Sequence, residues 1–455
     1  MKTPIHDFVN NYISSDTARL HMPGHKGKPL LGCEPFDITE IQGADVLYSA
    51  EGIIAESEKN ASRLFGSAHT FYSAEGSSLS IKAMLALAAY DSKNSNNAVN
   101  LRKKPLVIAA RNVHKAFVYA CALLDLDVDF IFPNTDTHLC RCEVSAVDVD
   151  NAIRGAAVKP CAVYVTSPDY LGNILDIKAI SEVCHRHGVP LLVDNAQGAY
   201  LAFLRDNLHP IALGADMCCD SAHKTLPALT GAAYLHISQN APEEFVRNAR
   251  GRLSLFASTS PSYLILQSLD LCNKYLSDGY PKRLENRISE INKIKEKLRQ
   301  NGHILEGDEP LKITVRTVNP RKNAISPDEI LRRHGIECEY CDGEYTVCMI
   351  TPENTKEELS KLENALLKLP HGSATIPATS EPLLLPHERI SSIREAIFAP
   401  HETVPTELSV GRICASPTVS CPPAVPIVVS GEKITEQALT LFKRYGISEV
   451  DVIKQ

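Results

Sequence analysis

The sequence predicts an α/β protein built on a mostly parallel β-sheet. Between about residues 56 and 238, short apolar segments alternate with segments whose apolar residues recur at helical spacing. Alternation of this kind is typical of a parallel sheet that is covered by helices on both faces. After Gly302 the pattern changes to paired apolar segments, which indicates a smaller α+β region. Ligands of such proteins bind outside the carboxyl ends of the parallel strands.

The individual elements follow from the spacing of the apolar residues. Helical spacing predicts helices at 56–65, 77–90, 115–124 and 176–187, the first of which stops at Gly66. Apolar runs predict strands at 105–110, 128–132, 162–166, 189–193, 216–220 and 232–237.

Beyond the alternating region, the sequence predicts a long charged helix at 283–299, and antiparallel strands at 303–316 and 336–351 that flank short helices. The segment 91–104 is a polar, Asn-rich loop, and 370–388 has the Pro and Ser content of a linker. We therefore divide the chain into an N-terminal segment, a large domain, a small α+β domain, and a linker with a C-terminal subdomain, at residues 1–55, 56–300, 301–370 and 371–455.

Composition places the chain among ordinary globular proteins. Of its 455 residues, 44% are hydrophobic and 22% are charged, which excludes a disordered or collagen-like chain. The formal net charge of −7, with both signs spread along the chain, argues against a nucleic-acid partner. No segment approaches a membrane span, and the first twenty residues lack the apolar core of a signal peptide. The fourteen cysteines are scattered along the chain and do not form a disulfide framework. Together with the lack of a signal-peptide pattern, they predict a cytoplasmic protein with reduced thiols.

Lys224 is the first candidate functional residue. It lies just beyond the predicted strand 216–220, at a carboxyl strand end. An isolated lysine is usually a solvated surface charge. Here Ser221, His223 and Thr225 bring hydrogen-bonding groups to the same strand end. Lys224 and these neighbours are what a Schiff base with a phosphorylated aldehyde needs.

Asp194 ends another apolar strand, thirty residues before Lys224. Alone, such a carboxylate could equally cap a helix or form a turn. Together with Lys224, it would pair with a protonated pyridine nitrogen and keep the ring an electron sink. The small side chain of Ala196 would let the ring lie flat against the backbone.

Two further groups fit a phosphorylated aromatic cofactor. Gly76, Ser77 and Ser78 precede a predicted helix, where free N–H groups and the helix dipole favour a phosphate, although serine-rich helix caps are common. His114 follows the strand 105–110. Its imidazole could stack on a cofactor ring, although a single histidine is more often a structural hydrogen-bonding group.

Together these residues resemble the Orn/Lys/Arg decarboxylase family of pyridoxal-phosphate enzymes, which have the aspartate-aminotransferase-like fold type I. Further motifs run in family order from about residue 21 to residue 432 and are specific in combination. They are a PGHKG-containing segment at 21–27, segments at 36–40 and 51–54, STSPSY at 258–263, and a C-terminal signature in Gly411-Arg412-Ile413, Pro422-Pro423 and Gly431-Glu432.

The resemblance implies pyridoxal 5′-phosphate as cofactor and assigns a role to each residue. Lys224 would hold the cofactor covalently, Asp194 would hold the pyridine nitrogen, and His114 would stack on the ring. Either His223 or Lys224 would return a proton to Cα after CO₂ has left. The phosphate or its surroundings would be bound by Ser77, Ser78, Ser221 and His223.

The resemblance also implies a homodimer, or a higher homo-oligomer built from dimers. Ser258 would reach the phosphate site of the neighbouring subunit. The alternative is that the segment 258–263 simply caps the helix that follows it.

Two departures from the family pattern concern the substrate half of the site. Gln197 stands where short-chain members have histidine, and glutamine cannot act as an acid or a base. The family's SAE and YPPGIP motifs appear here as 415–417 and 421–424, without the glutamate and the tyrosine.

The sequence gives no strong metal motif. Cys338 and Cys341 have the spacing of half a zinc site, but no second pair accompanies them and they lie in a predicted strand. A structural role for them is favoured, and we predict no metal.

Three functions remain from the sequence. The first is decarboxylation of a basic amino acid to an amine, a polyamine precursor, with arginine ahead of lysine and ornithine by analogy with compact family members. The second is an aminotransferase or other pyridoxal-phosphate chemistry at Cα, motivated by Gln197 and the altered C-terminal motif. The third is a non-catalytic homologue, which the complete cofactor set disfavours.

Overall fold

The computed structural model describes residues 1–90, 104–133, 139–317, 325–342, 344–370, 386–419 and 425–454. A seven-stranded sheet forms its centre. Its strands, in chain order, are β1 (His69–Ser73), β2 (Leu106–Ala110), β3 (Asp127–Ile131), β4 (Ala162–Thr166), β5 (Leu191–Asp194), β6 (Met217–Asp220) and β7 (Ala233–Ile237).

The strand order is β1-β7-β6-β5-β4-β2-β3. Only β7 runs antiparallel to its neighbours β1 and β6, and the remaining pairings are parallel. The mostly parallel sheet is thus confirmed, and the six predicted strands agree with the structure to within two residues. The prediction missed β1, because its Thr70 and Ser73 give it a polar composition. Thr70 is nevertheless buried, and its hydroxyl pairs with Nδ1 of His236 at 2.8 Å.

The described helices cover both faces of this sheet, and some of them pack on a second, smaller sheet. They are α1 (Pro4–Ser14), α2 (Ile53–Phe65), α3 (Ser77–Tyr90), α4 (Lys115–Leu124), α5 (Ala146–Gly155), α6 (Ile177–Arg186), α7 (Ala222–Thr225), α8 (Glu243–Ser254), α9 (Tyr263–Ser277), α10 (Tyr280–Gln300), α11 (Pro327–Arg333), α12 (Lys356–Leu366), α13 (Ile393–Phe398) and α14 (Glu436–Arg444). The bounds of α3 and α4 are those predicted. None of these described helices is long and apolar enough to cross a membrane.

A second, antiparallel sheet follows α10. It contains β8 (Ile304–Glu306), β9 (Lys312–Arg316), β10 (Tyr340–Cys341) and β11 (Tyr345–Met349) in the order β10-β11-β9-β8. Each of the two strands predicted here is therefore a pair of shorter strands. Gly307 separates β8 from β9 at a φ of 76°, and a Cβ at this position would collide with the carbonyl oxygen of Leu171. This close approach sets the small sheet against the loop that follows β4.

The C-terminal part forms two short antiparallel pairs that pack on the large sheet. They are β12 (His401–Pro405) with β15 (Glu449–Ile453), and β13 (Thr418–Val419) with β14 (Val428–Val429). Apolar residues of this part share one buried cluster with α5, α6 and the central strands. The predicted loop at 91–104 and linker at 370–388 lie almost wholly outside the described residues, and the predicted domain ranges remain predictions.

A buried ion pair connects the C-terminal part to the central sheet. Arg111, directly after β2, is fully buried, and Nη1 and Nη2 of its guanidinium donate to the two carboxylate oxygens of Glu432 at 2.7 and 2.8 Å. The rings of Phe130 and Phe132 lie 4.6 and 4.9 Å from the guanidinium carbon. Glu432 belongs to the C-terminal signature seen in the sequence, and its carboxylate accepts from Arg111 and from the backbone N–H of Val429.

Glu432→Gln should lower the free energy of unfolding by about 3–5 kcal/mol, because the Arg111 charge would stay buried without a counter-charge. Burial raises the pKa of Glu432, but Arg111 outweighs it and the pKa lies below its ordinary value. The pair's contribution to the free energy of unfolding is therefore complete above the ordinary pKa of a glutamate. It is lost as the pH falls through the lowered pKa of Glu432. Urea unfolding at pH 7 measures the difference. The neighbouring Lys433→Gln, an exposed control, should change stability by less than about 0.5 kcal/mol.

Candidate active site

The carboxyl ends of β2, β4, β5 and β6 border one cavity of about 670 Å³, together with the start of α3. Nine of the ten predicted cofactor-binding residues line it. They are Gly76, Ser77, Ser78, His114, Asp194, Ala196, Ser221, His223 and Lys224. The tenth, Ser258, does not. The sequence thus predicted a set of residues that the fold brings together from three strand ends, those of β2, β5 and β6, and from the start of one helix.

One end of the cavity is suited to a phosphate. The hydroxyl of Ser221, after β6, donates to the hydroxyl of Ser77 at 2.9 Å, although the two residues are 144 positions apart. Gly76 turns the chain into α3 at a φ of 71°, a conformation that favours glycine, and its N–H donates to the carbonyl of Gly231 at 2.7 Å. The N–H groups of the first helical turn have no partner within the helix. Hydroxyls and N–H groups at this end could therefore donate to an anion.

Asp194 lies in the middle of the sheet edge and is only 2% exposed. Its Oδ2 accepts from the hydroxyl of Tyr164 at 3.1 Å, and its Oδ1 accepts from the N–H of Ala196 at 3.2 Å and from the thiol of Cys219 at 3.6 Å. No Lys or Arg of the described ranges forms an ion pair with it. Since an ionised carboxylate is costly to bury without a counter-charge, a protonated pyridine nitrogen fits this position. No sequence pattern indicated a site role for Tyr164.

The hydrogen bonds of the two site histidines fix their tautomers. Nδ1 of His114 accepts from the N–H of Ala116 at 3.2 Å, so a neutral ring carries its proton on Nε2. Burial in the cleft lowers the pKa of His114, and Asp194 opposes that shift. Nδ1 of His223 donates to the carbonyl of Ala232 at 2.9 Å, which leaves its Nε2 without its own proton in the neutral ring. The side chain of Lys224 is exposed in the cavity.

Gln197 is held by a lysine that the sequence analysis did not single out. Nζ of Lys312, on β9, donates to Oε1 of Gln197 and forms an ion pair with Glu309 at 2.9 Å. An ammonium has only donors, so the amide oxygen of Gln197 must face Lys312. Its amino group is then available to the cavity as a neutral donor. Position 197 therefore offers a fixed hydrogen bond where the family's histidine offers a titratable one.

Beneath the site, Asp220 joins three polar side chains. Its carboxylate accepts from Nδ2 of Asn195 at 2.7 Å and lies 3.0 and 3.1 Å from the Nε2 atoms of His209 and His236. His209, Cys218 and Asp220 are the one group within the described ranges whose spacing could suit a metal ion. Asn195 directly follows β5, so its hydrogen bond to Asp220 links the ends of β5 and β6.

The remaining candidates lie outside the cavity lining. Ser258 is exposed, and its N–H donates to Oε1 of Glu75, a residue at the cavity edge, at 2.7 Å. The N-cap of α9 is Ser262, a member of the segment 258–263, but its side chain makes no capping bond, so the helix-cap alternative stays open. The segment 21–27 also contributes nothing to this chain's own cavity. Of the altered C-terminal motif, residues 420–424 lie outside the described ranges.

The family model for the major domain of Orn/Lys/Arg decarboxylases matches residues 3–323. The chain belongs to the Orn/Lys/Arg decarboxylase family. Curated members include the arginine decarboxylases of Bacillus subtilis and Halalkalibacterium halodurans, which are 28% and 29% identical to this chain. Each comparison covers 97% of this chain and 93% of the relative.

The fold of this chain is similar to the folds of several solved structures. Lysine decarboxylase A from Pseudomonas aeruginosa superposes with a TM-score of 0.80 at 19% identity, over 99% of this chain and 80% of that one. The serine palmitoyltransferase of Sphingomonas wittichii has a TM-score of 0.53 at 14% identity, over 69% of this chain and 75% of that one. The sequence-based assignment to the decarboxylase family and to fold type I is thus confirmed.

Proposed function

We propose that this family member is a pyridoxal-phosphate-dependent decarboxylase whose substrate is arginine, with lysine and ornithine as the next candidates. The observation that carries the proposal is the convergence of Lys224, buried Asp194 and the Ser77–Ser221 pair on one cavity. Similarity to arginine decarboxylases along almost the whole chain favours arginine. The amine product would be a polyamine precursor.

When bound, pyridoxal phosphate supplies the electron sink for the bond that breaks at Cα. The residues of this chain would bind and orient the cofactor and move the proton. Ser77, Ser78 and Ser221 would hold the phosphate, and Asp194 would keep a proton on the pyridine nitrogen. His223 is fixed through Nδ1, so its Nε2 would hold and deliver a proton on the cavity side. His114 would cover one face of the ring.

The direct test is incubation of the purified protein with arginine, lysine and ornithine, in the presence of pyridoxal phosphate. Release of CO₂ with equimolar amine, fastest from arginine, is expected. Transfer of the amino group to a keto acid without CO₂ release would instead establish the aminotransferase alternative. A protein that neither binds the cofactor nor turns over any of the three amino acids would be the non-catalytic homologue, and the proposal would be wrong.

We further propose that the active unit is a homodimer with shared sites. Leu20, Leu30 and Leu31, on either side of the segment 21–27, are 93%, 87% and 90% exposed. Such a concentration of exposed leucines is typical of a surface that a partner covers. Ser258 lies exposed beside Glu75 at the cavity edge, and in the proposed dimer it would reach the neighbouring subunit's site.

Mixing Lys224→Ala subunits with Ser258→Trp subunits tests the sharing. Each variant alone should be inactive. A mixed dimer pairs the intact Lys224 of one subunit with the intact Ser258 of the other, so roughly one site per mixed dimer should recover activity. Subunit exchange is verified by mass spectrometry of differently tagged chains. Exchange without any recovered activity would contradict a shared site.

A further inference from the structure

The cavity has a second end, opposite the phosphate site. Along the sheet edge, Ser221 follows β6, Asp194 ends β5, and Asp169 and Tyr170 lie beyond β4. Asp194 thus separates the phosphate end from a region lined by Asp169, Tyr170 and Glu339, the last of which comes from the small sheet. A substrate side chain that leads away from the phosphate end would point towards this region.

Glu339 is held firmly although it is exposed. Its N–H donates to the carbonyl of Val347 at 2.9 Å, which ties it to the small sheet. The hydroxyl of Tyr170 donates to Oε1 of Glu339 at 2.8 Å and approaches its carbonyl oxygen at 3.3 Å. Tyr340 packs edge-on against the Tyr170 ring, with the ring centroids 5.4 Å apart. The carboxylate is therefore oriented before any ligand arrives.

Glu339 also lacks a counter-charge within the described ranges of the chain, where no Lys, Arg or His forms an ion pair with it. Asp169 differs, because both of its oxygens accept from Asn173, at 2.9 and 2.8 Å. Burial raises the pKa of Asp169 to about 6, against the opposing effect of those bonds. Glu339 is thus the carboxylate at this end with one oxygen, Oε2, that accepts no hydrogen bond from the described residues.

We infer that Glu339, oriented by Tyr170, binds the distal cation of the substrate side chain, a guanidinium or an ammonium. The inference rests on the proposed function, which supplies a substrate with such a cation. A carboxylate that accepts charge-assisted hydrogen bonds from this group discriminates basic amino acids from apolar ones of the same length. Specificity then comes from the small sheet, whereas the central sheet holds the cofactor.

The experiment measures binding, so that it does not depend on turnover. The holoenzyme is titrated by calorimetry with agmatine, which carries a guanidinium, and with pentylamine, which lacks the second cation. Glu339→Gln should weaken agmatine binding roughly tenfold to hundredfold and leave pentylamine binding unchanged. The KM for arginine should rise by a similar factor, with kcat near the wild-type value.

Two further variants complete the test. Glu337→Gln removes an exposed glutamate two positions away, which pairs with Arg332 at 3.3 Å instead of facing the cavity, and should leave both affinities unchanged. Tyr170→Phe keeps the ring but frees Glu339, and should weaken agmatine binding less than Glu339→Gln does. Tyr170→Phe is also the variant that tests the cation site if Glu339→Gln fails to fold.

The outcomes separate this inference from the proposed function. Wild-type agmatine affinity in folded Glu339→Gln protein, or equal weakening of both ligands, would overturn the inference alone. If Glu339→Gln does not fold, wild-type agmatine affinity in the Tyr170→Phe protein would overturn the inference instead. Absence of CO₂ release from every basic amino acid, with selective loss of agmatine binding in the variant, would overturn decarboxylation but support the cation site.

Discussion

Lys224→Ala is expected to reduce decarboxylation to background and to remove the visible absorbance of covalently held pyridoxal phosphate. Lysine is the common side chain whose amine can form a Schiff base with the cofactor aldehyde, and alanine has no such group. Because Lys224 is exposed in the cavity, its truncation should leave the melting temperature unchanged within about 2 °C. Borohydride reduction followed by peptide mapping measures the linkage directly, since the wild type should be labelled at Lys224.

Lys115→Ala is the matched control. Lys115 is also exposed and lines the same cavity, so the variant loses a charge of the same kind in the same place. It should retain the label at Lys224 and most of the activity. Labelling at Lys115, or turnover by Lys224→Ala protein, would contradict the assignment.

Asp194→Asn is expected to retain the cofactor but to lower kcat by roughly 10²–10³. The amide keeps the size of the carboxylate and can still accept the Tyr164 hydrogen bond, but it cannot hold the pyridine nitrogen protonated. Cofactor binding is followed by absorbance titration and the rate by CO₂ release. Near-normal kcat would show that Asp194 does not control the charge of the ring.

Tyr164→Phe separates charge from position at the same site. It removes one hydrogen bond to Asp194 and leaves the negative charge, so its loss in kcat should be much smaller than that of Asp194→Asn. A loss of the same size in both variants would mean that the orientation of the carboxylate matters more than its charge.

Local sequence patterns were sufficient to predict most of the residues that converge at the phosphate-suited end of the cavity. Lys224, Asp194 and Gly76 each stand next to a strand or helix whose own apolar spacing is clear, so position along the chain already implied position at the sheet edge. The strand β1 escaped prediction because its buried polar groups are satisfied by partners far along the chain, such as His236.

The substrate half depends on contacts that no local pattern reveals. Lys312 meets Gln197 across 115 residues, and Tyr170 meets Glu339 across 169. Both contacts join the small sheet to loops of the central sheet, and their existence depends on how the two sheets pack. The sequence could show that Gln197 departs from the family pattern, but not that a buried ammonium fixes its amide oxygen.

The Arg111–Glu432 pair has a consequence for how the protein is made. Arg111 leaves the ribosome 321 residues before its partner, and lies three positions before His114. Until Glu432 has been synthesised, the guanidinium at the end of β2 lacks its carboxylate partner. Burying this unpaired charge would destabilise the nascent central sheet. The cofactor site should therefore mature late in biosynthesis. Ribosome-bound chains stalled before residue 432 should bind pyridoxal phosphate poorly, although they already contain every residue proposed to touch it.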